Sequence, residues 1–290
     1  MIFRPTALFA LFLSASLSLC ATTLPALAQK PGETPCDQAL DALERDDNDR
    51  AIIELEACLE GGDLEPGMEA FLYAELGAAL LYAERFEEAL QAHNMAAAIA
   101  DTQDSEITVP AFYRNRGIAF YETGEYDRAL TDLLRADQLS SNDPLTLIGL
   151  GLVYQSQDAP AQAVEVFDRL VRATPDWSGA WINRSSAFLD LDMTAAAVRD
   201  AERAFELEPD TGETLNMLCW TLIQDARAET ALPLCERAVE LEPDVGAFVH
   251  SLAAALEATG AQRRAYRLYR RAYELTPEDP EIAADYERTQ

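Results

Sequence analysis

The sequence has few basic side chains and almost no lysine. Lys30 is its only lysine, and Lys and Arg together number 22 against 51 Asp and Glu, which gives a formal net charge of −29. A surface of this charge repels the phosphates of nucleic acids and the headgroups of anionic lipids, so nucleic acid is not expected as a partner. The excess of acid favours solubility, and the alternative is that it steers a basic partner toward the protein.

The sequence also lacks the common signatures of catalysis. It has no glycine-rich phosphate loop, no zinc-protease motif and no nucleophile elbow. Its two histidines, His93 and His250, are far apart, and neither belongs to a Ser or Cys arrangement typical of a catalytic triad. We therefore expect a protein that is not an enzyme and needs no cofactor. His93 is expected in the core, while His250 faces either a ligand or the core, with the core favoured.

The first 28 residues are typical of a cleaved secretory signal peptide. Arg4 provides the positive start, residues 7–13 form an apolar run, and Ala26-Leu27-Ala28 suits cleavage before Gln29. A membrane anchor is the weaker alternative, because serines and Pro25 interrupt a run that is shorter than the ~20 residues needed to span a bilayer. We expect no stable membrane anchor after cleavage.

Lipidation at Cys20 is a second alternative for the N-terminus. It is disfavoured because a small residue is expected before a lipidated cysteine, and Leu19 stands there. A cleaved signal without a sorting tail predicts a periplasmic protein. Secretion to the outside is the alternative.

Three segments near the C-terminus repeat at a spacing of 34 residues. They read RAFELEPD, RAVELEPD and RAYELTPED, and they begin at Arg203, Arg237 and Arg271. A period of this length is typical of stacked helix pairs.

This repeat resembles that of the tetratricopeptide (TPR) family, which has large residues at positions 4, 11 and 24, small residues at 8, 20 and 27, and proline at 32. From Pro144 the matching residues are Leu147, Gly151, Tyr154, Ala163, Phe167, Leu170 and Pro175. The same pattern identifies six repeats over residues 70–277, which start near 70, 110, 144, 178, 212 and 246.

The resemblance implies an all-α fold, a right-handed α-solenoid of about seven antiparallel helix pairs. Residues 29–66 are predicted to form a degenerate N-terminal helix pair, and residues 278–290 a C-terminal capping helix. Small residues let paired helices approach closely and large ones fill the space beside them. Each pair needs its neighbour to cover its apolar face, so the array is stable only as a stack.

Three departures from the repeat predict local differences in structure. The repeats near 70 and 110 start 40 residues apart, which predicts a longer second helix or a longer loop in or after residues 95–109. Arg116 and Arg184 stand at position 7, where leucine is usual, and either loosen the core or present a charge to a partner. Pro233 lies early in a second helix, where the first turn tolerates proline and a later position would kink the helix.

Four cysteines remain after residue 28. By repeat position, Cys36 faces Cys58 and Cys219 faces Cys235, so we predict two disulfides, each worth roughly 2 to 4 kcal/mol. The alternative is that all four are small buried thiols. A metal site is not expected, because the cysteines lack zinc-ligand spacing and the acidic turn at residues 46–49 has no glycine at the sixth position of a calcium loop.

In the TPR family, positions 2, 5, 9, 12 and 13 of each first helix line a concave groove that holds a partner peptide or helix. The resemblance therefore implies this partner-binding set: Phe71, Tyr82, Arg114, Ile118, Tyr121, Ile148, Leu152, Ile182, Asn216, Trp220 and Ile223. The set is largely apolar and lacks the lysine with which chaperone-docking relatives clamp a terminal carboxylate. A hydrophobic segment or an amphipathic helix is thus the expected ligand. The alternative is that the chain itself covers these residues.

These observations predict a scaffold or adaptor that holds another protein in the periplasm or outside the cell. The alternative function is a regulatory or chaperone-like subunit of an envelope enzyme or of a secretion or assembly complex. The oligomeric state is left open by the sequence.

Overall fold

A computed structural model describes residues 34–103 and 107–289. The predicted signal peptide, residues 1–28, lies outside the described residues. Within those two ranges the chain forms fifteen helices and no strand, so the expected all-α solenoid is confirmed. The chain divides into two compact units, whose described residues are 34–103 with 107–157, and 158–289.

Seven helices form the first unit, and each packs against the next along the chain. The helices are α1 (Pro35–Glu44), α2 (Asn48–Glu60), α3 (Pro66–Tyr82), α4 (Phe86–Thr102), α5 (Pro110–Glu122), α6 (Tyr126–Leu139) and α7 (Pro144–Ser156). The first helices of successive repeats, α3, α5 and α7, also contact one another in turn. They form a row with the second helices α4 and α6 packed against it.

The second unit has eight helices packed in the same sequential way. They are α8 (Pro160–Ala173), α9 (Ser178–Asp190), α10 (Thr194–Leu207), α11 (Gly212–Gln224), α12 (Ala228–Leu241), α13 (Gly246–Ala258), α14 (Gln262–Leu275) and α15 (Pro280–Arg288). Its first helices, α9, α11 and α13, contact one another in turn, and α15 packs against α14.

Every turn from a first helix to a second helix contains one residue in the left-handed conformation. These residues are Asp46, Glu84, Gly124, Asp158, Asp192, Ala226 and Gly260, with φ between 55° and 86°. The turn is closed by a backbone hydrogen bond such as that from Arg227 N to Leu222 O, 2.8 Å long. Glycine adopts this φ without steric strain, yet it occupies only two of the seven turns.

Small residues lie where the helices of a pair approach most closely. Ala129, Ala197 and Ala231, which stand at repeat position 20, are completely buried. At position 8, Gly77 of α3 lies against the ring of His93 on α4, and a Cβ added at Gly77 would be 2.7 Å from that ring. His93 is fully buried, as expected for a core residue.

The two arginines at repeat position 7 are paired with aspartates inside the fold. Arg116 of α5 donates from Nε and Nη2 to Asp132 of α6 at 2.6 and 2.9 Å. Arg184 of α9 lies between Asp168 of α8 and Asp200 of α10 and donates to both. The expectation that these arginines either loosen the core or stand ready for a partner is therefore wrong, because a nearby carboxylate neutralises each.

Each unit has one disulfide, and both join the helices of a single pair. Cys36 of α1 is bonded to Cys58 of α2, and Cys219 of α11 to Cys235 of α12, with S–S distances of 1.93 and 1.90 Å. These are the two pairs that the repeat positions predict. The buried-thiol alternative is thus not what the structure contains.

The other departures from the repeat have local consequences. The longer repeat has a second helix, α4, of 17 residues, compared with 14 in α6. The connection after it is also longer, since residues 103–109 separate α4 from α5 and only residues 140–143 separate α6 from α7. Helix α12 continues through Pro233, whose side chain is exposed. The acidic turn at 46–49 links α1 to α2, and Asp47 caps α2 by accepting a hydrogen bond from Arg50 N.

No helix among residues 34–103 and 107–289 is both long and apolar enough to span a bilayer. In the same part of the chain, no group of three or more His, Cys, Asp or Glu side chains is arranged to hold a metal ion.

Candidate partner-binding surfaces

Three first helices of the unit that ends at residue 157 carry seven of the predicted binding residues. Phe71 and Tyr82 are on α3, Arg114, Ile118 and Tyr121 on α5, and Ile148 and Leu152 on α7. Within each helix the spacings of 4, 7 or 11 residues bring the side chains onto one face. Because α3, α5 and α7 contact one another in turn, we define these residues as the aromatic surface of the first unit.

Exposure divides the aromatic surface into two groups. Tyr82 is 42% exposed, and Phe71, Arg114 and Tyr121 are half-buried. The aliphatic members are buried between the first helices, with Ile118 at 6%, Ile148 at 5% and Leu152 at 2% exposure. The three aliphatic side chains hold the helices together, so the area that a partner can touch is mainly aromatic.

Arg114 is engaged by its own unit. Its Nε donates to Asn115 Oδ1 at 3.1 Å, and its Nη1 lies 3.6 Å from Asp143 Oδ2. Asp143 also caps α7 by accepting a hydrogen bond from Thr146 N at 2.9 Å. A guanidinium held in this way is not placed to clamp a partner's terminal carboxylate.

Glu75 adds an unusual carboxyl group to the same face of α3. It follows Phe71 by one helical turn, is 5% exposed, and its Oε1 has no hydrogen-bond partner. Burial raises the pKa of Glu75 to about 8, so the side chain is mostly neutral near pH 7. Glu75 is not among the predicted binding residues, and its only signal in the sequence is that it is the one acid in the apolar stretch from Ala70 to Tyr82.

The second unit contains the remaining four predicted residues. Ile182 on α9 and Trp220 on α11 are each 6% exposed, Asn216 on α11 is completely buried, and only Ile223 is half-buried. Both amide atoms of Asn216 are without a hydrogen-bond partner. This set therefore presents much less surface than the aromatic surface of the first unit.

Trp220 packs toward the C-terminal helices. Its ring lies 5.7 Å from that of His250, which lies 5.5 Å from that of Tyr269. His250 is 1% exposed, and its Nε2 is 2.8 Å from Asp285 Oδ2 on α15. The hydrogen bond from His250 keeps the pKa of Asp285 below its usual value. His250 thus lies in the core of this unit, which was the favoured expectation.

Two family models match the chain, and both describe the family that the repeat pattern resembles. Residues 110–158 match a family model described as TPR repeat, and residues 178–287 match one described as tetratricopeptide repeat. The chain belongs to the TPR family. TPR proteins are generally non-enzymatic scaffolds, and the fold supports a role in protein–protein interaction.

Solved structures show the same fold at low sequence identity. A TPR protein from Parabacteroides merdae has a TM-score of 0.69 at 15% identity, covering 88% of this chain and 97% of its own. A thermophilic TPR protein from Thermus thermophilus has a TM-score of 0.55 at 22% identity, covering 62% and 98%. MamA from Desulfovibrio magneticus, from residue 41 to its end, has a TM-score of 0.53 with the same identity and coverage. No curated protein matches the sequence.

Proposed function

We propose that this TPR protein is a periplasmic scaffold or adaptor that binds a hydrophobic or amphipathic segment of another protein on the aromatic surface of its first unit. The observation that carries this proposal is the exposure of Tyr82, at 42%, on α3, which also carries the half-buried Phe71, with the half-buried Tyr121 on the adjacent first helix α5. Partly exposed aromatic side chains provide large contact areas with few rotatable bonds, and they are enriched where partners bind.

The charge of this surface supports an apolar ligand over a charged one. Glu75 is mostly neutral near pH 7 because burial raises its pKa to about 8, and Arg114 is held by Asn115 and Asp143. An amphipathic helix can lay its apolar face on such a surface.

The compartment is supported by two separate features. Residues 1–28 have the pattern of a signal peptide, and the disulfides Cys36–Cys58 and Cys219–Cys235 are bonds typical of oxidising compartments. N-terminal sequencing of the protein from a periplasmic fraction should begin at Gln29. An intact Met1 or recovery in the cytoplasm contradicts this part of the proposal, and recovery in the medium favours secretion.

The binding proposal is tested by affinity capture from envelope extract with residues 29–290 as bait. The test bait is Tyr82→Ala/Tyr121→Ala, and the control bait is Met95→Ala/Leu134→Ala. Met95 and Leu134 are 45% and 40% exposed and lie on the second helices α4 and α6 of the same unit. Both variants lose exposed apolar area, but only the test bait loses it from the aromatic surface.

We expect one stoichiometric protein with the wild type and the control, and its loss with the test variant while helicity is unchanged. Titration of a synthetic peptide from the captured protein should reproduce the difference. Equal capture by all three baits contradicts the aromatic surface as the binding site. A captured enzyme whose rate changes on binding identifies the chain as a regulatory subunit.

A further inference from the structure

Helix α14 is strongly basic in a strongly acidic protein. Its 14 residues, QRRAYRLYRRAYEL, contain five arginines and one glutamate, whereas the whole chain has a formal net charge of −29. The side of α14 that faces the core is formed by Ala265, Tyr269 and Ala272, which are buried. The basic side chains therefore lie on the other faces of the helix.

Three of the five arginines have partners within the second unit. Arg264 lies 3.6 Å from Glu236, Arg270 lies 3.3 Å from Glu274, and Arg271 lies 3.3 Å from Asp244. Arg263 and Arg267 differ, because neither makes an ion pair or a side-chain hydrogen bond with any residue in 34–103 or 107–289. They are one helical turn apart and both exposed, so their guanidinium groups can act together.

These two arginines lie with Gln262 and Tyr266 on one face of α14, along a shallow depression that is open to solvent. We call these four residues the arginine face. The ring of Tyr266 is stacked on that of Tyr286 from α15, with centroids 6.3 Å apart, and Tyr286 is stacked on Tyr273 at 5.1 Å. Tyr266 is thus held in place by its position in a row of three rings.

The stability of α14 does not explain this arrangement. Arg263 and Arg264 stand in the first turn, where the helix dipole favours acidic side chains and disfavours basic ones. The first turn of α14 contains no acid. Two arginines without a partner among the described residues, beside a fixed aromatic ring, are in contrast suited to a ligand with both carboxylates and an apolar group.

We propose that the arginine face is a second interaction surface, which binds a short acidic segment of another protein. Carboxylates of the segment pair with Arg263 and Arg267, and an apolar or aromatic side chain packs on Tyr266. A short segment is favoured over a nucleic acid or an anionic membrane because those are extended polyanions. They would bring further negative charge within about 10 Å of the acidic remainder of the protein, the range over which charges interact at 0.1 M salt.

The probe is the fluorescein-labelled peptide Glu-Glu-Trp-Glu-Glu, titrated into the oxidised chain and followed by fluorescence anisotropy. We expect saturable binding that weakens as salt rises and that is about tenfold weaker for Arg263→Gln/Arg267→Gln, because two charged donors are lost. The matched control is Arg264→Gln/Arg270→Gln, which removes the same charge from the same helix. It should retain the wild-type affinity, and replacing Trp by Gly in the probe should weaken binding.

Equal loss of affinity in both double variants would mean general electrostatic attraction and would overturn the proposal. So would the absence of saturable binding to the wild type. Binding of single-stranded DNA or of phosphatidylglycerol vesicles in preference to the peptide would overturn the choice of an acidic protein segment. A dimer that forms in sedimentation experiments and depends on Arg263 and Arg267 would also overturn the proposal. The arginine face would then bind a second copy of this chain.

Discussion

Arg184 holds Asp200 through two hydrogen bonds of 2.7 and 2.9 Å, at a site where the aspartate is only 5% exposed. Its third nitrogen donates to Asp168 at 2.6 Å, and the guanidinium lies 5.0 Å from the ring centre of Trp181. One arginine thus connects three successive helices, α8, α9 and α10. The arrangement replaces the leucine usual at this position of the repeat.

Removal of Arg184 alone should destabilise the protein strongly. Arg184→Leu leaves Asp200 buried without its partner, and we expect a loss of about 3 kcal/mol in the free energy of unfolding. The double variant Arg184→Leu/Asp200→Ala should recover much of that loss. Urea denaturation of both single variants and of the double variant measures the coupling, and strictly additive effects would show that the pair is not coupled.

The contact between Gly77 and His93 predicts a severe effect of one methyl group. Gly77→Ala brings a Cβ to 2.7 Å from the imidazole ring, so we expect a loss of about 1–3 kcal/mol of stability. Gly77→Ala/His93→Ala should relieve the clash. Gly67→Ala, on the same helix, is the control, because no atom lies within 4 Å of the added methyl group. If thermal unfolding shows equal midpoints for Gly77→Ala and Gly67→Ala, the contact does not exist.

The left-handed turn at Ala226 predicts a stabilising substitution. Alanine at φ of 56° is strained, whereas glycine is not. Ala226→Gly should therefore raise the free energy of unfolding by up to about 1 kcal/mol. Gly260→Ala, at the equivalent turn with φ of 86°, should lower it. Chemical denaturation of the two variants should give shifts of opposite sign, and shifts of the same sign would contradict the turn geometry.

Glu75 predicts a dependence of stability on pH. Burial raises the folded-state pKa of Glu75 from its ordinary value of 4.5 to about 8, so between these two pH values the folded protein keeps a proton that the unfolded chain releases. Stability from this group therefore falls as pH rises from about 4.5 to about 8.

The variant Glu75→Gln should remove that loss. The difference in melting temperature between Glu75→Gln and the wild type should increase as pH rises from about 4.5 to about 8 and should stay constant above that pH. The control is Glu87→Gln, because Glu87 is exposed on α4 and its substitution should give no such trend. A constant difference between Glu75→Gln and the wild type at all pH values would mean that Glu75 titrates normally.

Much of the fold could be predicted because it depends on residues that recur. The alanines at repeat positions 20 and 27 and the 34-residue spacing are enough to indicate helix pairs from the sequence alone. The same register brings Cys36 to Cys58 and Cys219 to Cys235. These predictions require only that each helix face its neighbour.

The surfaces were less predictable because exposure depends on how closely the helices pack. Trp220 and Leu152 occupy positions that line a groove in the TPR family, but contacts between first helices leave them 6% and 2% exposed. The partners of Arg184 could not be predicted from the sequence either, because Asp168 and Asp200 lie 16 residues before and after it. Their proximity follows from the close packing of α8, α9 and α10.

The two disulfides also limit how far the chain can be stretched. Cys36–Cys58 and Cys219–Cys235 close loops of 22 and 16 residues, each contained in one helix pair. A force applied to the two ends of the oxidised chain cannot extend those segments. At roughly 3.4 Å per residue, on the order of 130 Å of contour length cannot be extended until both disulfides are reduced.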